Sequence, residues 1–94
     1  MLAALTFWDT QRGGRQRPPL NGFRPHLKVG DEFTSCKIES IDGVEVFEFE
    51  QEFNVQLTLM FPELYSDTFH VGDAVNFYEG SRQIASGTIV AKHS

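Results

Sequence analysis

The chain has 94 residues, and its 40% hydrophobic and 13% aromatic content predicts one packed globule rather than a disordered segment. Thirteen acids against eight Lys and Arg give a net charge of −5, which argues against general nucleic-acid binding because phosphate neutralisation supplies most of that affinity. No run approaches the roughly 18 to 20 apolar residues that a membrane helix needs, so we expect no membrane segment.

Residue types that mark a compartment or a metal site are sparse. The N-terminal Met-Leu-Ala-Ala-Leu lacks the basic region and apolar stretch of a secretory signal, and one cysteine cannot form an intrachain disulfide, so a cytoplasmic location is expected. Cys36 lies in a predicted strand and is expected to be a small core residue. The histidines at positions 26, 70 and 93 show no ligand spacing, so we expect no metal and no cofactor, with His70 and His93 in solvent.

Strand periodicity runs along most of the chain, punctuated by turns rich in Gly, Pro, Asn and Asp. Along 44–53 the apolar phase changes between Val46 and Phe47, which indicates a bulge or a change of sheet. Gly87, inside the last strand, is placed for a bulge or a close strand crossing. Short strands with regular turns are typical of a closed barrel or a sandwich. The predicted strands lie near 2–8, 23–29, 33–40, 44–53, 53–61, 74–78 and 83–90.

The clearest alternation occurs along residues 53–61, where every second side chain is apolar and the intervening positions are mostly polar. We predict that this apolar face is buried together with Ile84 and part of 23–29. Its members are Phe53, Val55, Leu57, Leu59 and Phe61.

Charge is divided unevenly along the chain. Residues 12–28 carry five basic side chains and no acid, whereas residues 31–52 carry eight acids against Lys37 alone. We therefore expect a basic loop on one side of the domain and an acidic strand on another, each suited to a different partner.

One stretch near the N-terminus is dense in residues that constrain the backbone: Gly13-Gly14-Arg15-x-x-Pro18-x-x-x-Gly22-Phe23-Arg24-Pro25. Glycine permits positive φ, and proline restricts both itself and the residue before it, so we predict one ordered loop folded against the domain. The motif resembles the opening loop of the C-terminal β-barrel domain of elongation factor Tu, which has the same spacing. Similar fragments follow in order at Asp42–Glu45, Pro62 and Glu79–Val90, so the likeness spans nearly the whole chain.

The resemblance implies an all-β fold, a small closed antiparallel Greek-key barrel of six to seven strands, with residues 1–94 forming a single domain. Phe49-Glu50-Gln51 stands where the family has a Pro-Gly-Asp turn, so either a continuous acidic strand or a different loop is expected there. Between Pro62 and Glu79 the chain is about four residues longer than the family, and the extra residues fall within 63–70. The chain has no Gly-x-x-x-x-Gly-Lys-Ser/Thr phosphate loop, so it is not expected to bind GTP by itself.

In the family this barrel contacts the T-stem backbone of tRNA, an exchange factor and its own GTPase domain. Carried over through the resemblance, the candidate RNA contacts are Arg15, His26, Ser35 and Gly80. An arginine suits a phosphate, and short polar groups suit a phosphate or a 2′-hydroxyl. The alternative role of Arg15, Arg24 and Arg82 is to pair with carboxylates and so to hold loops together, and this role is the expectation for Arg24 and Arg82.

Two main function classes follow from these patterns. The first is a non-enzymatic protein-binding module that imitates the translation factor's barrel, for example a toxin-neutralising or immunity-type protein. Its partner surface would be the acidic side chains Glu45, Glu48, Glu50 and Glu52. The alternative is an accessory tRNA- or RNA-binding protein that uses the basic loop 12–28, and a third possibility is a domain that retains the fold without a function. No nucleophile–base arrangement or diagnostic carboxylate pair is recognisable, so no enzymatic activity is expected.

Overall fold

A computed structural model describes residues 1–92 of the chain. Within them the backbone forms six β-strands and two single-turn 3₁₀ segments, Thr10–Arg12 and Pro62–Tyr65. The strands are β1 (Leu2–Phe7), β2 (His26–Val29), β3 (Glu32–Ser40), β4 (Glu52–Leu59), β5 (Ala74–Glu79) and β6 (Arg82–Ala91). No helical segment among these residues is long or apolar enough to cross a membrane.

The strands close into a barrel in the order β1-β4-β3-β2-β5-β6, and every neighbouring pair is antiparallel. The consecutive strands β2, β3 and β4 form a meander, with β1 beside β4 and β5 beside β2. Each flanking strand therefore completes a Greek key with the same meander. The prediction of an all-β closed antiparallel barrel is confirmed, with six strands.

Alternating side chains explain which face of each strand lies inside. Val55, Leu57 and Leu59 of β4 are buried, as predicted, and so is Ile84 of β6. The other side chains of the core come from the remaining strands and two loops: Ala3, Leu5, Phe7, Leu27, Cys36, Ile38, Phe47, Phe69, Val75, Phe77, Ala85 and Ile89.

The prediction of a buried face is wrong at both of its ends, Phe53 and Phe61. Phe61 is 50% exposed, because β4 ends at Leu59 and the chain turns away from the barrel before Pro62. Phe53 is only half-buried and packs against the edge of the core. A run of alternating residues therefore predicts the inner face of a strand only as far as the strand itself continues.

The predicted strand 44–53 does not form as such, and this is the second correction. After β3 the chain leaves the barrel, forms one isolated bridge between Val46 and Leu20, and inserts Phe47 into the core. It then turns at Glu50, whose φ of 58° lies in the left-handed region, before β4 begins. The change of apolar phase therefore marks the point where a loop, rather than a bulged strand, passes its side chain into the barrel.

The loop between β1 and β2 is ordered against the barrel, as predicted. Its two isolated bridges join Leu20 to Val46 and Phe23 to Ile38, and Pro19 is fully buried beneath them. Gly22 has a φ of 91°, which a residue with a Cβ rarely adopts, so the glycine is required for the turn between the two bridges. The chain between β1 and β2 thus forms part of the barrel wall.

Candidate functional site

Three of the four candidate RNA contacts lie around β2. His26 and Ser35 stand directly opposite each other on β2 and β3, and His26 also pairs with Tyr78 on β5. His26 and Ser35 face outward because Leu27, Thr34 and Cys36, their neighbours along the strands, are buried. Gly80 lies two residues beyond Tyr78, in the turn that joins β5 to β6.

The fourth candidate, Arg15, reaches the same side of the barrel but is already engaged. Its Nη1 donates to Glu79 Oε2 at 2.6 Å, its Nε donates to the carbonyl of Arg17 at 3.0 Å, and its guanidinium lies over the ring of Phe23. These contacts attach the loop to the β5–β6 hairpin beside Gly80. Arg15 therefore joins the other three candidates in space, with its charge balanced by Glu79.

The outward side chains of these strands and of the residues just before β2 form a surface on which two aromatic rings, one exposed and one half-buried, lie among several cations. We call it the β2–β3–β5 face and define it by Arg24, His26, Lys28, Phe33, Ser35, Lys37 and Tyr78. Arg17 and Arg82 lie at its border, in a shallow cleft with Arg15 and Glu79.

The prediction that Arg24 and Arg82 pair with carboxylates is wrong. Within residues 1–92 neither guanidinium lies within 4.0 Å of a carboxylate, and the loop-bridging pairs are Arg12–Glu50 and Arg15–Glu79. Both of the pairing arginines belong to the loop that folds back across the barrel, which brings them to acids distant in sequence. Arg24 is instead exposed, two residues before β2 begins.

The four candidate glutamates of the protein-binding hypothesis do not share one strand. Only Glu52 belongs to a strand, as the first residue of β4, and Glu45 and Glu48 are exposed in the preceding loop. Glu50 accepts the backbone N–H of Asp9 at 3.0 Å and a hydrogen bond from Arg12 at 2.7 Å. The backbone N–H and the adjacent guanidinium lower the pKa of the Glu50 carboxyl. This carboxylate therefore connects two loops.

The acidic loop, which we define as residues 41–50, is held at several points. The backbone N–H of Asn21 donates to the carbonyl of Glu45 at 2.9 Å, and that of Phe47 donates to Pro19 at the same distance. The buried ring of Phe47 stacks on Phe7 with centroids 5.1 Å apart. A surface loop with a buried anchor keeps its exposed side chains in a defined arrangement.

Sequence reasoning missed an apolar shoulder formed by Met60, Phe61 and Leu64, all at least half exposed. The shoulder adjoins a cleft of about 350 Å³ between β4 and the 62–69 segment, where Lys92 donates to the carbonyls of Ser66 and Phe69. The signal in the sequence is the cluster of apolar residues around Pro62, next to the segment that departs from the resembled family, and it could have indicated this shoulder.

His26 and His70, the two histidines within residues 1–92, are both exposed. His70 is exposed beside Asp73, with 3.5 Å between Nδ1 and the carboxylate, so the expectation that it is solvated is confirmed. His93 lies outside the described residues. Across residues 1–92 no three His, Cys, Asp or Glu side chains are grouped so that they could hold a metal ion.

Cys36 is a core residue, as predicted, and burial raises the pKa of its thiol to about 12. Since the unfolded thiol ionises near its ordinary pKa of 9.0, the unfolded state loses its proton first as the pH rises. We therefore expect the free energy of unfolding to fall from about pH 9 towards pH 12, and Cys36→Ala to flatten this part of the profile. Urea titrations at several pH values measure it, together with thiol labelling near pH 8, which should be slow until the protein unfolds. Rapid labelling of the folded protein would contradict the buried position.

Comparison with known proteins adds no relative: neither the scan against protein-family models nor the search of curated proteins finds a match to this chain. The likeness to the elongation-factor barrel therefore stays a prediction that rests on its motifs.

Proposed function

We propose that this chain is a non-enzymatic protein-binding module that contacts its partner through the acidic loop. One observation carries the proposal: the loop leaves the barrel yet is anchored by the fully buried Phe47, so that Glu45 and Glu48 are presented to solvent from a constrained backbone. A constrained loop loses little conformational entropy when a partner binds, so more of the contact energy is available for affinity.

The surroundings of the loop fit a protein partner in composition. Leu20, bridged to the loop through Val46, is exposed, and Ile41 at the start of the loop is exposed as well. Apolar side chains bordered by charged ones are a common composition of protein interfaces. Glu45 and Glu48 would attract a basic partner and speed its association. Glu50, bound to Arg12, is assigned the role of fixing the end of the loop.

The resemblance suggests what kind of partner this is. A barrel that imitates part of elongation factor Tu would compete for a protein that docks on the translation factor, and a toxin that uses the factor is one such protein. A toxin-neutralising or immunity-type role is accordingly the specific form of the proposal.

The experiment compares two double variants with the same change in charge. Glu45→Lys with Glu48→Lys alters the acidic loop, and Glu63→Lys with Asp67→Lys alters exposed acids elsewhere. Each tagged protein is cross-linked in its native cells, recovered partners are identified by mass spectrometry, and the association rate of the purified partner is measured. We expect the loop variant to slow association about tenfold or more at low salt, with the control close to the unmodified chain.

Equal recovery and equal rates for the two double variants would contradict the proposal. The proposal would also be contradicted if this chain bound tRNA with micromolar affinity at physiological salt, lost that binding on Arg15→Ala, and kept it when the glutamates are substituted. Circular dichroism and urea unfolding of each variant verify that the barrel is intact.

The alternative, an accessory RNA-binding protein, is favoured by a different observation. The four candidate contacts Arg15, His26, Ser35 and Gly80, distant in sequence, lie on one side of the barrel with exposed cations beside them. Titration of tRNA at increasing salt tests this function, since phosphate contacts give a steep salt dependence. His26→Ala with Ser35→Ala is the informative variant, because both side chains face outward and His26 makes no ion pair among residues 1–92.

A further inference from the structure

We propose that the aromatic pair Phe33 and Tyr78 on the β2–β3–β5 face is a stacking site for an unpaired RNA base, with Lys28 at the adjoining phosphate. The inference goes beyond the proposed protein-binding function. It deepens the alternative RNA-binding function and rests on it. The contact proposed is with the base of a single-stranded RNA, whereas the resemblance implies contacts with the backbone of a paired stem.

The first observation is the exposure of Phe33. Its side chain is 48% exposed on the outside of β3, while Thr34, next to it, is buried. The alternation of the strand therefore directs Phe33 away from the core. Its cross-strand partner on β2 is Lys28, so an aromatic ring and an ammonium group stand side by side on the outer surface.

The second observation is that the neighbouring ring is fixed in place. Tyr78 meets Phe33 edge to face, with centroids 5.3 Å apart and an interplanar angle of 77°. Its hydroxyl donates to Gln83 Oε1 at 3.2 Å, and the amide nitrogen of Gln83 donates to Asn76 at 2.8 Å. An edge-to-face contact leaves ring faces uncovered, and because the Phe33 side chain is 48% exposed, a planar ligand can still stack on it.

The third observation is the local charge. Lys28 Nζ lies 5.8 Å from the centre of the Tyr78 ring, and neither Lys28 nor Arg24 has a carboxylate within 4.0 Å among residues 1–92. The acids nearest in the strands are already paired, Glu39 with Lys37 and Glu79 with Arg15. The acids that oppose this patch are Asp31 and Glu32, in and after the β2–β3 turn, and Asp73, which lines a cleft together with Lys28. The face therefore offers two cations, Lys28 and Arg24, that no carboxylate within 4.0 Å neutralises among residues 1–92.

An exposed aromatic ring that packs against a second ring and lies beside cations matches the chemistry of single-stranded RNA. A base stacks on an aromatic ring, and a lysine meets the phosphate that follows it. A duplex keeps its bases stacked on one another and offers no free face to Phe33. Ser35, two residues along the same face of β3, provides a hydroxyl for the 2′-hydroxyl of RNA.

The test uses a fluorescein-labelled ten-nucleotide oligouridine and a ten-base-pair RNA duplex, titrated by fluorescence anisotropy at about 50 mM salt. We expect Phe33→Ala to weaken oligouridine binding about tenfold and Phe33→Trp to restore it. Phe61→Ala, which removes an equally exposed ring outside the face, should change nothing. Ring resonances of Phe33 and Tyr78 should shift upfield when the oligouridine is added.

Each other result overturns the stacking proposal in a recognisable way. Undetectable oligouridine binding, or equal loss in Phe33→Ala and Phe61→Ala, removes the site. Binding of tRNA or duplex that depends on His26 and Ser35 but not on Phe33 retains the alternative function and rejects stacking. Absence of binding to any RNA rejects both, and leaves the protein-binding proposal unaffected.

Discussion

Replacing Phe47 by alanine is expected to destabilise the barrel by about 3 to 5 kcal/mol, the largest effect of any single truncation that we predict. The ring is fully buried, stacks on Phe7 at 5.1 Å and meets Phe53 edge to face at 5.3 Å. Truncation leaves a cavity that strands fixed by their neighbours on both sides cannot close. It also releases the anchor of the acidic loop, so the loop should become mobile in the variant.

Urea unfolding followed by circular dichroism measures this loss of stability. Phe61→Ala is the matched control, since the same ring is removed from an exposed site and should change stability by less than about 0.5 kcal/mol. Similar losses in the two variants would show that Phe47 does not fill the core. Hydrogen exchange resolves the second expectation, because the amides of residues 41–50 should lose protection in Phe47→Ala before the strands do.

Gly87→Ala is the second large effect, with an expected loss of about 3 kcal/mol. Gly87 lies in β6 opposite Leu5 and Val75, where the strands cross closely. A Cβ at this position would overlap the carbonyl oxygen of Ala4 and the end of the Leu5 side chain. The carbonyl belongs to the backbone of β1, so the clash can be relieved only if the two strands move apart.

Gly43→Ala is the comparison variant, because alanine at position 43 has a conformational cost but meets no atom that it would overlap. Gly43 has a φ of 76° and open space where a Cβ would lie, so alanine there should cost only about 1 kcal/mol. Urea titration of both variants gives the comparison, and amide exchange in β1 and β6 locates the damage. A smaller loss for Gly87→Ala than for Gly43→Ala would show that β1 and β6 do not approach as closely as the barrel requires.

Local patterns predicted much of the barrel because a strand's inner face follows from a two-residue period. The period assigns Leu57 and Ile84 to the core. For Gly87 the sequence predicts a bulge or a close crossing, and the structure shows the close crossing. The assignment of Phe61 to the core was wrong, because the two-residue period does not show where β4 stops pairing with its neighbours. Phe47 lay in a predicted strand because a β-rich pattern looks the same in a strand and in a loop that inserts a single ring into the core.

The candidate sites were predictable as residue types but not as arrangements. Arg15 was recognised from its motif, yet its partner Glu79 lies 64 positions away in sequence and is identified only by the fold. Phe33 likewise has no distinguishing feature in the sequence. Only the fold places Lys28 of β2 and Tyr78 of β5 beside it. Contacts across strands depend on register, and no local pattern specifies the register between distant segments.

The sequence by itself determined the class of this protein: alternation, turn residues and apolar content require an all-β globule with a buried core, because each is a property of neighbouring residues. Tertiary structure alone decided which strands meet, where the acidic loop leaves the wall, and which charges are balanced. Those outcomes depend on closure of the barrel, which pairs β1 with β4 and β6 and brings residues from opposite ends of the chain into one surface.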